Sequence, residues 1–511
     1  MKKHNSILSA TIFVSLLIIL GKILGFFREM IIAAYYGATA LTDAFFFAQG
    51  MPAMIFPAVC NSLSTAFISL YVKRLAENGE QEGDRYASRM LATTTILGVI
   101  LSVAGVLLAP VLVPLLAPGF AGEQLNLAIH LTRLTMGAFV LTMLQYMLCA
   151  ILNSKKLFIG SQVAGLLYNA VIVAITVVLG RGQSMDTLTL TVVAGMAIQV
   201  LALMFCCRGQ FTFCFGLSPI HRDSGILLRL ALPILLGNSV VQLNNIVDKA
   251  LCSMLPAGSL SALSYANTLN TLVISVFISS LSTVLYPTLT ADAASGNMDR
   301  YGKTLMQSMT NLTMLLIPIS CITFLDAEEI IRIIYARGDF SEEAVVVTAL
   351  VLSCYAPRFV FAGFREVLTR AFFALQDTKT PMIAGSIGVG CNIVFSLLFV
   401  RWLGVAGIAL GTVVSVFVIA VLLLWWTHKK LPMLPVKNLI FRLGKQMAAS
   451  GVLIIALMAF RSFVDIPWPL IRFATDTAVG FAVYLLALWM MGAEEVNTVL
   501  RVLKRKMCKD K

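Results

Sequence analysis

The sequence predicts an all-α polytopic membrane protein: about fourteen transmembrane helices, two six-helix lobes around a central cavity, and two further C-terminal helices. Three observations carry this. Of 511 residues, 59% are hydrophobic and only 12% are Asp, Glu, Lys or Arg, whereas soluble domains carry about 25% charged residues. Apolar runs of about 20 residues, the length needed to cross a bilayer as a helix, recur from end to end. Lysine and arginine gather in alternate connections, as the positive-inside rule requires.

The apolar ranges are 7–34, 42–71, 89–116, 126–152, 157–180, 187–207, 225–255, 259–289, 303–325, 342–374, 380–402, 405–427, 444–463 and 468–492. The first follows Lys2 and Lys3 and resembles a signal peptide. It runs to Phe27 without a small-residue cleavage site, so it reads as a retained helix. With the N-terminus in the cytoplasm, the inner connections and tail hold about two dozen cations, among them Lys73, Arg74, Lys155, Lys156, Arg300, Lys303, Lys429 and Lys430. The outer connections hold about six, Arg181, Arg332, Arg337, Arg401, Arg461 and Arg472. An even number of spans returns the C-terminus to the cytoplasm. The segment from Asp326 to Phe340 is too polar to span. Ile330, Ile331, Ile333 and Ile334 fall at helical spacing with charges opposite, so it reads as an interfacial connecting helix.

Short turns join the first two spans (Gly37–Thr42) and the seventh and eighth (Pro256–Ser259). Charge precedes each turn: Arg28 and Glu29 in one case, Asp248 and Lys249 in the other. Six spans separate the two units, so the halves share one orientation and imply a duplication. The expected organisation is an N-lobe at 1–215, a C-lobe at 216–430, and helices 13 and 14 with a basic tail at 431–511.

Ionisable residues inside apolar spans cost roughly 2.5–3.5 kcal/mol each and mark cavities or internal pairs. Lys22, Arg28, Glu29 and Asp43 lie in the first two spans. Gly21, Gly25 and Arg28 share one helical stripe, and Lys22 and Glu29 share the next. The glycines permit close approach of a helix or a substrate, and Arg28 with Glu29 also fits a structural ion pair. Asp43 fits two roles, a cap formed with Thr42 at a helix start and a partner for Arg28. Asp248, Lys249 and Arg358 add charge in the second half. Pro52, Pro233 and Pro357 interrupt their spans as kinks or hinges. The cavity expected from this set is cationic and suits a phosphate-bearing headgroup.

The net charge of +13 follows from the cytoplasmic connections, not from nucleic-acid binding. The ten cysteines show no metal-ligand or disulfide spacing. No P-loop, GxSxG or HExxH occurs, so neither ATP hydrolysis nor a catalytic residue is expected. No cofactor or metal is expected, and a membrane potential or ion gradient is the expected energy source.

Several runs then resemble one family. They are Leu24-Gly25-Phe26-Phe27-Arg28-Glu29 with Thr42-Asp43-Ala44-Phe45-Phe46, Ala150–Ser154, Tyr335–Phe340, and the long run Arg370–Pro381. Over essentially the whole chain the sequence resembles the MurJ (MviN) lipid II flippases of the MOP exporter superfamily. The resemblance implies fourteen helices working by alternating access in the bacterial cytoplasmic membrane. It implies transport of undecaprenyl-pyrophosphate-linked peptidoglycan precursor to the outer leaflet, with that lipid, membrane lipids and cell-wall synthesis proteins as partners. It places Arg28, Glu29 and Asp43 among the cavity residues, and the last two helices around the lipid tail. The sequence departs from the family pattern at Thr268 and Phe56, neutral where relatives carry arginine, and at Lys22, where arginine is common. Lys249 or Arg358 are the expected substitutes. Alternative readings are an exporter of another polyprenyl-linked glycan (O-antigen or teichoic-acid type), a cation-coupled drug exporter and a membrane-embedded glycosyl-transfer enzyme.

Overall fold

Helices account for nearly all of the described chain, because continuous apolar sequence must satisfy its own backbone hydrogen bonds in lipid. The computed structural model describes residues 2–214, 221–432, 436–464 and 466–493. The basic tail, and the side chain of Pro233 within its helix, lie outside the described set.

Seventeen helices follow in order among the described residues. They are α1 (Lys2–Tyr36), α2 (Ala40–Ile55), α3 (Pro57–Leu116), α4 (Gly122–Gly137), α5 (Phe139–Ser154), α6 (Phe158–Leu179), α7 (Met185–Cys207) and α8 (Arg222–Ser253). Then come α9 (Ser259–Ala294), α10 (Met298–Leu325), α11 (Ala327–Tyr335), α12 (Glu342–Tyr355), α13 (Arg358–Ala374), α14 (Lys379–Leu403), α15 (Val405–Lys430), α16 (Val436–Phe463) and α17 (Pro469–Met490). Every expected span carries helix, and eleven helical stretches among the described residues are long and apolar enough to cross a membrane.

The breaks have local causes. Pro57 opens α3 after a bend at Phe56, dividing the second span. Gly79, at φ +80°, turns the chain within α3 between the second and third spans. Pro357 divides the tenth span, and the Ala356 carbonyl there accepts from Ser320 Oγ at 2.7 Å. The fourth span breaks at Ala138, where Val140 N–H donates to Ser102 Oγ at 3.0 Å. The fourth and tenth spans also end alike. Leu157 N–H reaches back to Leu152 O, and Asp377 N–H to Phe372 O, each at 2.9 Å. Lys156 and Gln376 hold the left-handed position at φ 63° and 60°. Both are Schellman-type endings, a form shared by the ends of α9, where Asn297 N–H reaches Asp292 O at 3.1 Å, and α17, where Ala493 N–H reaches Leu488 O at 3.0 Å.

The chain forms two compact units, Met1–Ser261 with Arg337–Phe340, and Ala262–Ala336 with Ser341–Lys511. By contacts, α8 belongs with the first unit, whereas the organisation expected from the sequence places it first in the C-lobe. In the second unit, Tyr301, Leu305, Leu312, Phe359, Leu368 and Phe372 form one core. The two appended helices build another, with Leu453, Leu457, Tyr484 and Leu488 against Ile317 and Ile322 of α10. The segment 326–340 holds a short helix as expected, α11, which buries Ile331 and Tyr335 while Arg332 pairs with Glu328 of α11 and Glu342 at the start of α12.

Candidate substrate site

The charged residues of α1 form a network with α6. Arg28 Nη2 donates to Glu29 Oε1 at 2.7 Å, Nη1 donates to Asn169 Oδ1 at 3.1 Å, and the guanidinium lies 5.7 Å from the Tyr168 ring centre. Arg28 is 16% exposed and Glu29 9%. Arg28 Nε and Glu29 Oε2 are buried without a partner among the described residues, so the pair retains one donor and one acceptor. Gly21 and Gly25 face the same helix. A Cβ on each would meet Leu166 at 3.8 Å and Asn169 at 3.7 Å, ordinary contact distances. Lys22 is exposed.

Asp43 is buried and caps another helix, not its own. The start of α2 is capped by Thr39, whose N–H donates to Thr42 Oγ1 at 2.7 Å. Asp43 Oδ2 accepts from Gly258 N–H at 2.7 Å. Its Oδ1 accepts from Ser261 N–H at 2.7 Å and from Ser261 Oγ at 2.6 Å. No pairing with Arg28 is formed; one carboxylate instead satisfies free N–H groups at the α8–α9 turn and the first turn of α9. The turns fit closely. Gly258 sits at φ +89°, and a Cβ there would come 2.6 Å from Ala38 O in the α1–α2 turn. Gly119 N–H donates to Ser253 Oγ at 3.2 Å. Asp339 N–H donates to Ala34 O at 3.0 Å, bringing the 337–340 segment to the end of α1.

Pro52 lies inside α2 and cannot donate to the Ala48 carbonyl four residues back. The hydroxyl of buried Thr135 on α4 replaces that donor, at 2.9 Å from Ala48 O. The carbonyl that Pro52 leaves without its donor is therefore satisfied from outside the helix, and α2 runs on through Pro52 to Ile55. One turn away, Lys249 Nζ donates to Phe46 O at 3.0 Å, across the space left by Gly50. No carboxylate among the described residues pairs with Lys249. Its neighbour Asp248 accepts from Asn244 Nδ2 at 3.5 Å. In the second unit, Arg358 opens α13 with its guanidinium 5.7 Å from the Tyr355 ring centre. Phe56 packs on Phe139, ring centres 4.2 Å apart, and Thr268 Oγ1 donates to Ser264 O at 3.0 Å.

The first unit thus holds Lys22, Arg28, Glu29, Asp43, Asp248 and Lys249, and the second holds Arg358. Sequence reasoning missed Asn169 and Tyr168, although a lone Asn in the apolar fifth span was a signal. It also missed Thr135, Gly258 and Ser261, whose roles depend on helices far away in sequence. A third omission is a staple in the second unit. Arg461 on α16 bonds the buried carboxylates of Asp326 and Asp476, with its Nε 3.0 Å from Asp476 Oδ2, and Arg472 pairs with Glu329 at 3.3 Å.

The long run ending at Pro381 has a structural role outside the spans. Asp377 Oδ1 accepts from Thr380 N–H at 3.0 Å and Oδ2 from Thr380 Oγ1 at 2.6 Å, and Lys430 at the end of α15 donates to the same carboxylate. Partial burial pushes Asp377 up, but the Lys430 and Thr380 donors prevail and hold it well below the usual carboxylate range.

Comparison with known proteins bears on the family and the fold of the whole chain. A relative from Aquifex aeolicus, named a probable lipid II flippase MurJ, is 28% identical over 94% of this chain and 95% of its own length. A Rhizobium meliloti protein of the same name is 26% identical over 95% and 94%. A solved structure titled lipid II flippase MurJ in an inward closed conformation superposes with a TM-score of 0.81 at 23% identity, covering 94% of this chain and 98% of its own. An inward-facing MATE multidrug transporter of the MOP superfamily shares the fold at TM-score 0.70 and 15% identity, over 81% and 95%. The family model described as lipid II flippase MurJ matches residues 32–479, and the chain belongs to that family.

Proposed function

We propose that this chain is a flippase, not an enzyme, that carries undecaprenyl-pyrophosphate-linked peptidoglycan precursor from the inner to the outer leaflet of the bacterial cytoplasmic membrane by alternating access. The observation that carries this reading is the state of the cations in the first unit. Arg28 is positioned by Glu29, Asn169 and Tyr168 and keeps a free donor. Lys249 has a backbone carbonyl but no carboxylate, and Lys22 is exposed. Arg28 already has Glu29 as its counter-ion, but Lys249 and Lys22 have no carboxylate partner among the described residues; such cations are costly at membrane depth unless an anion completes them, and a pyrophosphate supplies that charge.

In the proposed topology both termini are cytoplasmic, and the fourteen expected ranges are the spans. The α1–α2 and α8–α9 turns then face outward, and the Asp43 clamp holds that outer end shut. Opening must break its three hydrogen bonds, and closing remakes them. Lys22, Arg28, Glu29, Asp248, Lys249 and Arg358 serve as substrate contacts, with Gly21, Gly25, Pro52, Pro233 and Pro357 as points of bending. The membrane potential or an ion gradient supplies the energy, and cell-wall synthesis proteins deliver or receive the lipid.

Complementation tests the reading. A bacterial host depleted of its essential peptidoglycan-precursor flippase receives this chain or Arg28→Ala at matched membrane abundance. Rescue by the wild type alone is expected. Rescue by both would remove Arg28 from the mechanism. No rescue despite correct insertion would transfer the cargo to another polyprenyl-linked glycan.

A further inference from the structure

An apolar cleft of about 630 Å³ lies in the first unit, away from the charged network of α1. Its walls are Leu91 and Ile96 of α3, Leu144 and Leu148 of α5, Met204 of α7, and the segment that follows α7. That segment is a prepared wall. Thr212 N–H donates to Asp84 Oδ2 at 2.9 Å, and Cys214 N–H donates to Ser88 Oγ at 3.0 Å. Lys155 Nζ holds the Gln210 carbonyl. With alternate backbone groups fixed to α3, Phe211 and Phe213 line the cleft, their ring centres 6.3 Å apart.

One charged residue borders this apolar space, Arg208 at the end of α7. It is exposed, and no carboxylate among the described residues pairs with it. Asp84 is already engaged by Tyr71, Lys155 and Thr212. Beside the cleft, Ile96, Met204 and Phe213 remain exposed, so the space opens toward the hydrocarbon of the bilayer. An apolar slot ending at an unpaired guanidinium matches a molecule with a hydrocarbon tail and an anionic head. A methylene takes up close to a water molecule's share of liquid, roughly 30 Å³, so the cleft holds a single chain. Cations at the membrane surface attract anionic lipid, and arginine grips phosphate oxygens in pairs.

We infer that this cleft binds one acyl chain of an anionic glycerophospholipid, with Arg208 on its phosphate. In the topology proposed above the lipid comes from the inner leaflet, but the chemistry of the site does not depend on that assignment.

The test uses the full-length protein in nanodiscs with phosphatidylglycerol bearing a photoactivatable group in its acyl chain, and maps adducts by peptide mass spectrometry. Adducts are expected on 91–96 and 204–213. Arg208→Gln, an exposed change that leaves the packing intact, is expected to lower labelling about fivefold, in line with one cation at an anionic surface. Arg208→Lys should keep most of it, and Ala92→Phe, which fills the cleft, should remove it. Thermal unfolding of each variant separates loss of the site from loss of the fold. Adducts spread over the lipid-facing surface and unchanged in Arg208→Gln would overturn the inference. Equal competition by phosphatidylcholine would overturn the anionic requirement. Displacement by undecaprenyl phosphate but not by unlabelled phosphatidylglycerol would overturn the assignment in favour of an isoprenoid chain.

Discussion

Replacing Asp43 with asparagine probes the clamp with the least change in shape. In the wild type, one buried carboxylate accepts the Gly258 N–H, the Ser261 N–H and the Ser261 hydroxyl, all within 2.7 Å. Asparagine keeps one acceptor oxygen and turns an NH₂ group toward the donors at the other position. Hydrogen bonds to charged groups contribute about 1.5–3 kcal/mol, and an unsatisfied buried donor costs about 1–3 kcal/mol. The net loss is therefore about 2–4 kcal/mol, or roughly 30- to 700-fold in the closed-to-open equilibrium of these turns. Hydrogen exchange reads this directly, because two of the three donors are backbone amides. Asp43→Asn should accelerate exchange at Gly258 and Ser261 by that order, while amides in the α10 and α13 core stay at wild-type rates. Exchange at Gly258 and Ser261 unchanged in the variant would refute the clamp. A uniform acceleration across the protein would refute its local character.

Three further outcomes follow from the packing. Thr135→Val removes the donor to Ala48 O and should lower stability by about 1–3 kcal/mol. Pro52→Ala in that background restores a backbone N–H and should recover most of the loss in thermal unfolding. Arg461→Met leaves Asp326 and Asp476 buried without their partner, a loss of about 3–5 kcal/mol; unchanged thermal unfolding would mean that the appended helices are held by apolar packing alone. Asp377 is held below the usual carboxylate range, so its contribution is complete above the ordinary carboxylate pKa of about 4 and fades as the pH falls through its lower folded value. The difference in Tm between wild type and Asp377→Asn should therefore be constant near neutrality and shrink only in acid; a difference that grows in acid would reverse the sign.

How much of this was legible depended on how local the cause was. The spans were visible because membrane helices need long apolar runs, and α11 because its isoleucines repeat on one face. The break at Pro357 was announced by the residue itself. Arg28 and Glu29 were visible as charges in an apolar run, but their pairing was only one of two readings, since adjacent residues on a helix point about 100° apart and the fold decides whether the side chains meet. The partner of Asp43 was not visible. A carboxylate in a first helical turn looks like its own helix's cap, and only the tertiary fold brings Gly258 and Ser261, more than 200 residues later, to its two oxygens. The answer of Thr135 to Pro52 was hidden for the same reason: the proline declares an unsatisfied carbonyl, but not which hydroxyl reaches it. Arg461 was counted as an outer-loop cation because hydropathy cannot tell a solvated arginine from one that joins two buried aspartates.

The central claim is that the cations of the first unit carry a pyrophosphate-linked lipid across the bilayer, and transport in a purified system tests it most directly. The protein is reconstituted into liposomes with a fluorescent undecaprenyl-pyrophosphate-linked precursor, and the fraction reaching the opposite leaflet is measured with and without a membrane potential. Arg28→Ala and Lys249→Met are the comparisons. The account predicts translocation by the wild type and none above empty liposomes by either variant, with both variants folded. Translocation by both variants at the wild-type rate would contradict it.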